Sequence, residues 1–566
     1  MKKAPQKKPQ TGMAPPRKQT TPSLQWCALL GASLVLLVIG WRLFWFLTDD
    51  AYISFRYVSN SVLGYGYVWN FPPFRPVEGY TNFLWVLLLD GVWRVLHVPP
   101  PSSANYLTLI FSFLSLVVLS VMTMRMRWRS ELRPHRIAFI ALLLLFLLVN
   151  RSFLAWTSSG LETAMFTFLV LAWVYFLLAP KGLLGWPAFL AALAASLLEL
   201  TRPDGMLYAA GTLVLLAYLF IRNRHALKPW HYFSAAPLLL VPFHLVWRFK
   251  TYGQWLPNSY YAKYMAWWPE SGLRYAASFV LEYALWIWIA LAVVVALGKS
   301  TRTAIKREFS AAQALVLSAL LCHFLYYTFV MGGDHFEYRV YDHYLVLIPV
   351  SFIWLLNRTA MRASRAVAFM LLFIALSLPV PWTHWHYSQD LVTREETEHM
   401  KVPVAPHWPP LVRWYAGLFD GLQFNLIDHS VCLRHQEHKI CEEYLIQLYP
   451  SREEGLLLPS EGYPVHVAAA VGVASWVLPR VNILDALGLN DYVIARLPVP
   501  RNRSRQMAHD REAPKEYLFC FYPNVFIDNR HAIVRDRKVP LTSDQIMKCE
   551  REWRRFMDNL GAKRNK

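Results

Sequence analysis

Twelve apolar runs recur through the first two thirds of the chain, at about 25–47, 83–98, 104–124, 137–154, 163–179, 186–200, 206–221, 233–249, 275–297, 311–331, 342–356 and 364–381. Nothing else in the sequence limits the fold as much. A helix needs ~20 apolar residues to cross ~30 Å of hydrocarbon. Backbone N–H and C=O groups must be satisfied inside such a medium, which leaves helices or closed barrels. Runs of this length specify an α-helical polytopic membrane protein. With 55% hydrophobic and 17% charged residues in 566, the chain is not disordered, collagen-like or a small disulfide-stapled protein. Its 24 tryptophans suit a chain that meets membrane interfaces.

The run 83–98 decides the topology. If it crossed, the basic segment Arg125–Arg136 would lie outside, against the positive-inside rule. If it lies flat on the outer surface, the loops carrying Arg125–Arg136, Lys181, Arg222/Arg224/Lys228, Lys299/Arg302/Lys306/Arg307 and Arg358/Arg362/Arg365 all fall inside. Asp90, Arg94 and His97 form one polar stripe on that run, as a surface helix requires. The expectation is therefore eleven spans, with a cytoplasmic N-terminus and an outer C-terminus. The net charge of +20 then belongs to inner loops and not to a nucleic-acid surface.

Three regions follow: a Lys/Pro-rich tail at 1–24, expected to be disordered, a membrane region at 25–381, and an outer soluble domain at 382–566. In the last, 465–478 and 481–484 read as strands or a strand–helix pair and 541–560 as a helix, so a small α/β domain is expected. Cys432, Cys441, Cys520 and Cys549 all fall there. An even number in an oxidising compartment predicts two disulfides. Sequence order favours Cys432–Cys441 and Cys520–Cys549 among three connectivities.

With this topology the polar loops converge on one side. Asp49 and Asp50 end the first apolar run. They read either as a solvated helix end or as a catalytic pair, one facing a cavity and one supporting it. A carboxylate in a partly dry cavity has a raised pKa and can take a proton from an attacking hydroxyl. Acids at a helix C-terminus oppose its dipole, which argues for a functional reason. Glu78 reads as a second acid, a metal ligand or an acceptor for its own loop. Glu162 reads as a site residue or a helix-start acid, and Arg202 and Asp204 as substrate contacts or partners of each other. Arg56, Lys263 and Arg339 are candidates to hold a phosphate, a role for which arginine offers a bidentate fork, or to snorkel to the interface. Gly332-Gly333-Asp334 lets backbone approach a ligand or forms a turn, and His335 follows it. Glu199, His244 and His323 lie within apolar runs. Packing or helix–helix hydrogen bonding is the preferred reading of the two histidines.

The string Asp49-Asp50-Ala51-Tyr52-Ile53, Phe55-Arg56-Tyr57, then Gly64, Gly66, Val68-Trp69-Asn70 and Glu78-Gly79-Tyr80-Thr81-Asn82, resembles the C-type glycosyltransferase superfamily. It looks most like the bacterial terminal arabinofuranosyltransferases of mycobacterial arabinan assembly and their proteobacterial relatives. Gly160-Leu161-Glu162-Thr163, Arg202-Pro203-Asp204-Gly205, Pro257-Asn258, Gly332-Gly333-Asp334 and Asp485 with Gly488-Leu489 and Asp491 fit the same pattern. His335-Phe336-Glu337-Tyr338 departs from the continuation usual in that family, which bears on the donor sugar.

The resemblance implies a polyprenyl-phosphate sugar donor, plausibly of arabinofuranose, and transfer to an exported glycan, lipid or protein in a bacterial inner membrane, with the outer domain periplasmic. It makes Asp49 the first catalytic candidate and Asp50 its partner. Glu78, Glu162, Arg202, Asp204, Lys263, Asp334, His335 and Arg339 join Arg56 as donor-site candidates. A divalent cation at Asp49, Asp50 and Asp334 stays open. The rival readings are a transporter or flippase of a lipid-linked sugar and an envelope assembly subunit. Transporters usually carry internal repeats and polar groups near the bilayer midplane, and this chain has neither clearly.

Overall fold

The computed structural model describes residues 24–179, 182–263, 267–298, 310–397, 400–499 and 504–564. The tail up to residue 23 and the loop cations Lys181, Lys299, Arg302, Lys306 and Arg307 lie outside them. The protein is a multi-pass helical membrane protein. Among the described residues seven helices are long and apolar enough to cross: Leu24–Leu43 (α1), Pro100–Arg125, Pro203–Arg222, Pro229–Tyr252, Ala311–Met331, Arg339–Arg358 and Ala363–Ser388. The pair Pro269–Glu282 and Trp286–Leu297, bent by 91°, is long and apolar enough only when taken together, as a broken span or a re-entrant loop. The other runs in the expected eleven form shorter helices, Arg136–Leu148, Thr163–Leu178 and Trp186–Thr201. Most of Thr163–Leu178 is packed inside the bundle.

The first apolar run does not continue to the acids. α1 stops at Leu43, and Asp49–Val62 (α2) is a separate helix. Thr48 caps α2, its Oγ1 accepting the Ala51 N–H at 3.2 Å. Asp49 and Asp50 therefore open a helix and do not end one, correcting the expected placement. A Thr cap followed by two acids is what a helix N-terminus favours, since its dipole attracts negative charge. The sequence argument from an opposed dipole falls with this.

Phe83–Leu96 (α3) has 14 residues, about 21 Å of helix at ~1.5 Å per residue, short of a crossing. Asp90 and Arg94 pair along it at 3.0 Å, and Tyr67 donates to Asp90 at 2.8 Å. His97 ends it in a left-handed turn.

Beyond the last crossing the chain forms two small sheets. Val465–Ala468 (β1) and Asn482–Asp485 (β2) pair in parallel, Val465 opposite Asn482, with the short helix Gly472–Val477 in their crossover. Val525–Asp528 (β3) and His531–Val534 (β4) form an antiparallel hairpin. A helix, Ser543–Arg564, follows. The loop after α2 is sewn into this region. Asn70 acts as an extra strand residue: its amide donates to Ile483 O at 3.0 Å and accepts Ile483 N–H at 2.8 Å. Trp69 Nε1 donates to the same carbonyl at 2.8 Å. First loop and C-terminal region are thus one packed unit around the start of α2.

Candidate active site

The acids at the start of α2 are not equivalent. Asp49 Oδ1 accepts the Val473 N–H at 2.7 Å and Oδ2 accepts the Gly472 N–H at 3.0 Å. Both its oxygens are held by the first amides of the helix Gly472–Val477. Burial pushes its carboxyl up to about 6, against the pull of those amides. Asp50 beside it is half-buried and, among the described residues, has no hydrogen-bond or ion-pair partner. Asp49 is thus a fixed acid beside an open one.

Three imidazoles from different parts of the chain cluster together. The His335 and His509 rings lie 5.2 Å apart, as do those of His335 and His438. Burial, then His509, pushes His335 down to about 3. Burial also pushes His509 and His438 below the ordinary histidine range. Each ring is held toward its neutral form. The Ser430 carbonyl takes the Nδ1 hydrogen of His335 at 2.8 Å, and the Met507 carbonyl that of His509 at 2.9 Å. A carbonyl only accepts, so both rings keep a lone pair on Nε2. The charge of Asp50 acts on both rings.

A second polar group sits between the helices. Arg202 pairs with Asp204 at 3.1 Å and with Glu162 at 3.5 Å. Asp204 also accepts from Tyr327 at 3.0 Å and lies 3.0 Å from His323 Nε2. Asn82 donates to Glu162 at 2.8 Å and accepts from Ser54 of α2 at 3.0 Å, tying this group to the acidic helix. Arg202, Asp204, His323, Thr163 and Arg339 line a narrow, nearly closed recess. Arg339 grips Asp334 through Nε at 2.8 Å and Nη2 at 3.1 Å. Burial pushes Asp334 up, but Arg339, Lys263 and Arg202 together outweigh it and hold the carboxyl below its usual range. Lys263 acts on Asp334, His335 and His509 and makes no ion pair among the described residues.

Two sequence candidates leave the site. Arg56 is fully buried and donates to four backbone carbonyls, those of Trp69, Ser475, Leu478 and Val481, at 2.8–3.1 Å. A guanidinium engaged in this way has no fork for a phosphate; Arg56 staples α2 to the C-terminal region. Glu78 is buried against Arg248 at 2.6 Å, a structural ion pair and not a second acid. Glu199 likewise meets His244, at 3.2 Å. Cys520 and Cys549 are bonded, with Sγ–Sγ 1.96 Å. Cys432 and Cys441 are free thiols, correcting that pairing: Cys432 sits in a left-handed turn ahead of the helix that carries Cys441. The donor set does not fit a divalent cation. Amides hold both Asp49 oxygens and Arg339 grips Asp334, leaving Asp50 alone, and no group of three such ligands occurs among the described residues.

Sequence reasoning missed His509, His438 and the Gly472–Val473 amides. It also missed Glu442, which accepts from Tyr52 of α2 at 2.7 Å. A larger crevice, of about 30 Å³, separates the first loop from the C-terminal helix. Its acids are already satisfied: Glu550 takes Arg75 N–H at 2.9 Å and Asp491 takes Tyr517 OH at 2.8 Å.

No protein-family model and no curated protein matches the chain. Solved structures do. ArnT from Cupriavidus metallidurans, bound to undecaprenyl phosphate, superposes with a TM-score of 0.51 at 14% identity, over 90% of this chain and 97% of that one. The Archaeoglobus fulgidus oligosaccharyltransferase, in complex with zinc and sulfate, gives 0.37 at 10% identity over 80% and 67%. The arabinosyltransferase EmbB from Mycobacterium smegmatis gives 0.30 at 11% over 77% and 43%. Only the first of these is similar enough in shape to carry an argument. The chain shares the fold of that ArnT structure.

Proposed function

We propose that this protein is a polyprenyl-phosphate-dependent membrane glycosyltransferase with Asp50 as its base. The carrying observation is the open Asp50 carboxylate beside an Asp49 fixed by two amides. This exchanges the order that the sequence motif suggests. The acceptor hydroxyl oxygen forms a bond to the sugar's anomeric carbon, and its proton passes to Asp50. The bond from that carbon to the phosphate oxygen breaks, its electron pair leaving with the phosphate, which needs no proton. Positioned base catalysis of this kind contributes roughly 10²–10⁴ in rate. Lys263, which makes no ion pair among the described residues, and Arg339 would steady the leaving phosphate. Arg202, Asp204 and Glu162 shape the recess beside them, and His335 would meet the donor sugar or its acceptor.

ArnT's undecaprenyl phosphate supports a lipid-linked donor, and the first-loop motif favours a pentofuranose such as arabinose. The acceptor would be an exported glycan, lipid or protein, in a bacterial inner membrane with the region 382–566 on the periplasmic side. Membranes carrying the chain, given radiolabelled polyprenyl-phosphate sugar and envelope acceptor, should release polyprenyl phosphate and label the acceptor. Asp50→Asn should stop both while the protein stays folded and inserted. Full turnover by that variant, or counterflow of the labelled lipid without product, overturns the reading. Glycan mass spectrometry of a deletion strain names the missing sugar.

A further inference from the structure

The helix Pro410–Ile427 belongs to the region expected to be soluble, yet its exposed face is apolar. Leu411, Trp414 and Leu418 are 72%, 62% and 40% exposed. At spacings of three and four they form one stripe. Trp408, just before the helix, is exposed as well. The opposite face, Ala416, Phe419, Gln423 and Leu426, is buried. The helix has two charged residues. Asp420 turns inward to accept the Val402 N–H at 3.1 Å, and Arg413 is exposed on the flank of the stripe.

What lies beside this stripe identifies its partner. Tyr415 donates to the Leu281 carbonyl and receives Trp286 Nε1 at 3.3 Å. Those two residues flank the 91° corner between Pro269–Glu282 and Trp286–Leu297. The second of these helices is uniformly apolar and exposes Trp286, Ile289, Val293, Val294 and Leu297, a lipid-facing surface. The stripe thus continues the exposed apolar surface of that helix, the kind of surface that lipid covers. Trp and Leu toward the acyl boundary with Arg at its edge is the signature of an interfacial helix.

We propose that Pro410–Ile427 lies in the plane of the bilayer surface, with Leu411, Trp414 and Leu418 inserted among the lipids. It clamps the region after the last crossing to the membrane, independently of the chemistry at Asp50. The test uses the full chain with exposed Cys27 and Cys322 replaced by serine, in vesicles of phosphatidylethanolamine and phosphatidylglycerol. Nitroxide labels are placed through Leu411→Cys, Trp414→Cys, Leu418→Cys, Arg413→Cys and Gly417→Cys. Labels at 411, 414 and 418 should collide more with oxygen than with a water-soluble nickel complex, and labels at 413 and 417 the reverse. Equal nickel access at all five positions overturns the proposal. So does shielding of 411, 414 and 418 from both reagents with strong label–label coupling between molecules, which would mark a second copy as the occupant.

Discussion

The Asp49 carboxylate and the Val473 amide meet at 2.7 Å across 424 positions of sequence. Gly472 makes the approach close: a Cβ there would stand 1.7 Å from the Asp49 carbonyl oxygen. Gly472→Ala must therefore push the short helix away from Asp49. Overpacking of this kind costs about 1–3 kcal/mol. The variant should lower Tm modestly and transfer strongly, because Asp49 loses both anchors. Unchanged transfer with the Ala in place would show that the anchor is irrelevant.

The same contact sets a pH dependence. Burial pushes Asp49 up to about 6 from an ordinary 3.8, so in the folded chain it is ionised above that pH and neutral below. A raised acid binds its proton more tightly when folded. Its contribution to stability is therefore fully present below 3.8 and is lost as pH rises to about 6. Activity runs the other way, since only the carboxylate accepts both amides. Transfer should fall as pH drops through about 6, with His335 adding no limb there because it is held down at about 3. Asp49→Asn should be slow and flat across that range. A limb near 6 that survives in Asp49→Asn would assign it to another group.

Arg56 and Lys263, indistinguishable as cations in the sequence, should separate in a single assay. Lys263→Met removes a charge-assisted contact worth ~1.5–3 kcal/mol, so the donor KM should rise about 10–100-fold with Tm unchanged. Arg56→Met strands four buried carbonyls and should lower Tm and the yield of folded protein. A raised donor KM at normal Tm for Arg56→Met would restore it as a phosphate ligand.

These contrasts also show what the sequence carried. The membrane helices were legible because apolar length is a direct requirement of hydrocarbon. The break after Leu43 was not, since Phe44, Trp45, Phe46 and Leu47 are as apolar as the span before them. Arg202 with Asp204 could be found because the pair is local, whereas Arg339, read as a phosphate holder, in fact grips Asp334 five residues before it. Asp49's partners are backbone amides, which leave no residue-type signal, and His509 reaches His335 from a distant segment. Arg56 misled because a guanidinium that binds carbonyls and one that binds phosphate look alike in a motif. Nearness along the chain misled for Cys432 and Cys441, where a helix start intervenes.

The loop that carries Asp334 and His335 is held from below by charge. Its backbone pairs with the C-terminal region, Leu433 N–H to His335 O at 2.8 Å and Glu337 N–H to Leu433 O at 3.0 Å. Under it Glu337 bonds Arg151, Arg434 takes Glu282 at 2.9 Å, and all four side chains are buried. Removing one charge leaves its neighbour only a longer contact, Arg151 to Glu282 at 3.9 Å or Glu337 to Arg434 at 3.6 Å, at a cost of up to about 3–5 kcal/mol. Glu337→Gln and Arg151→Met should each lower Tm sharply, and each should slow transfer by loosening His335. The double variant should recover part of the loss, because no lone charge of that pair remains. Scanning fluorimetry of the three variants measures this. Single and double losses that simply add would show that Glu337 and Arg151 act independently, and that the loop is fixed by its backbone alone.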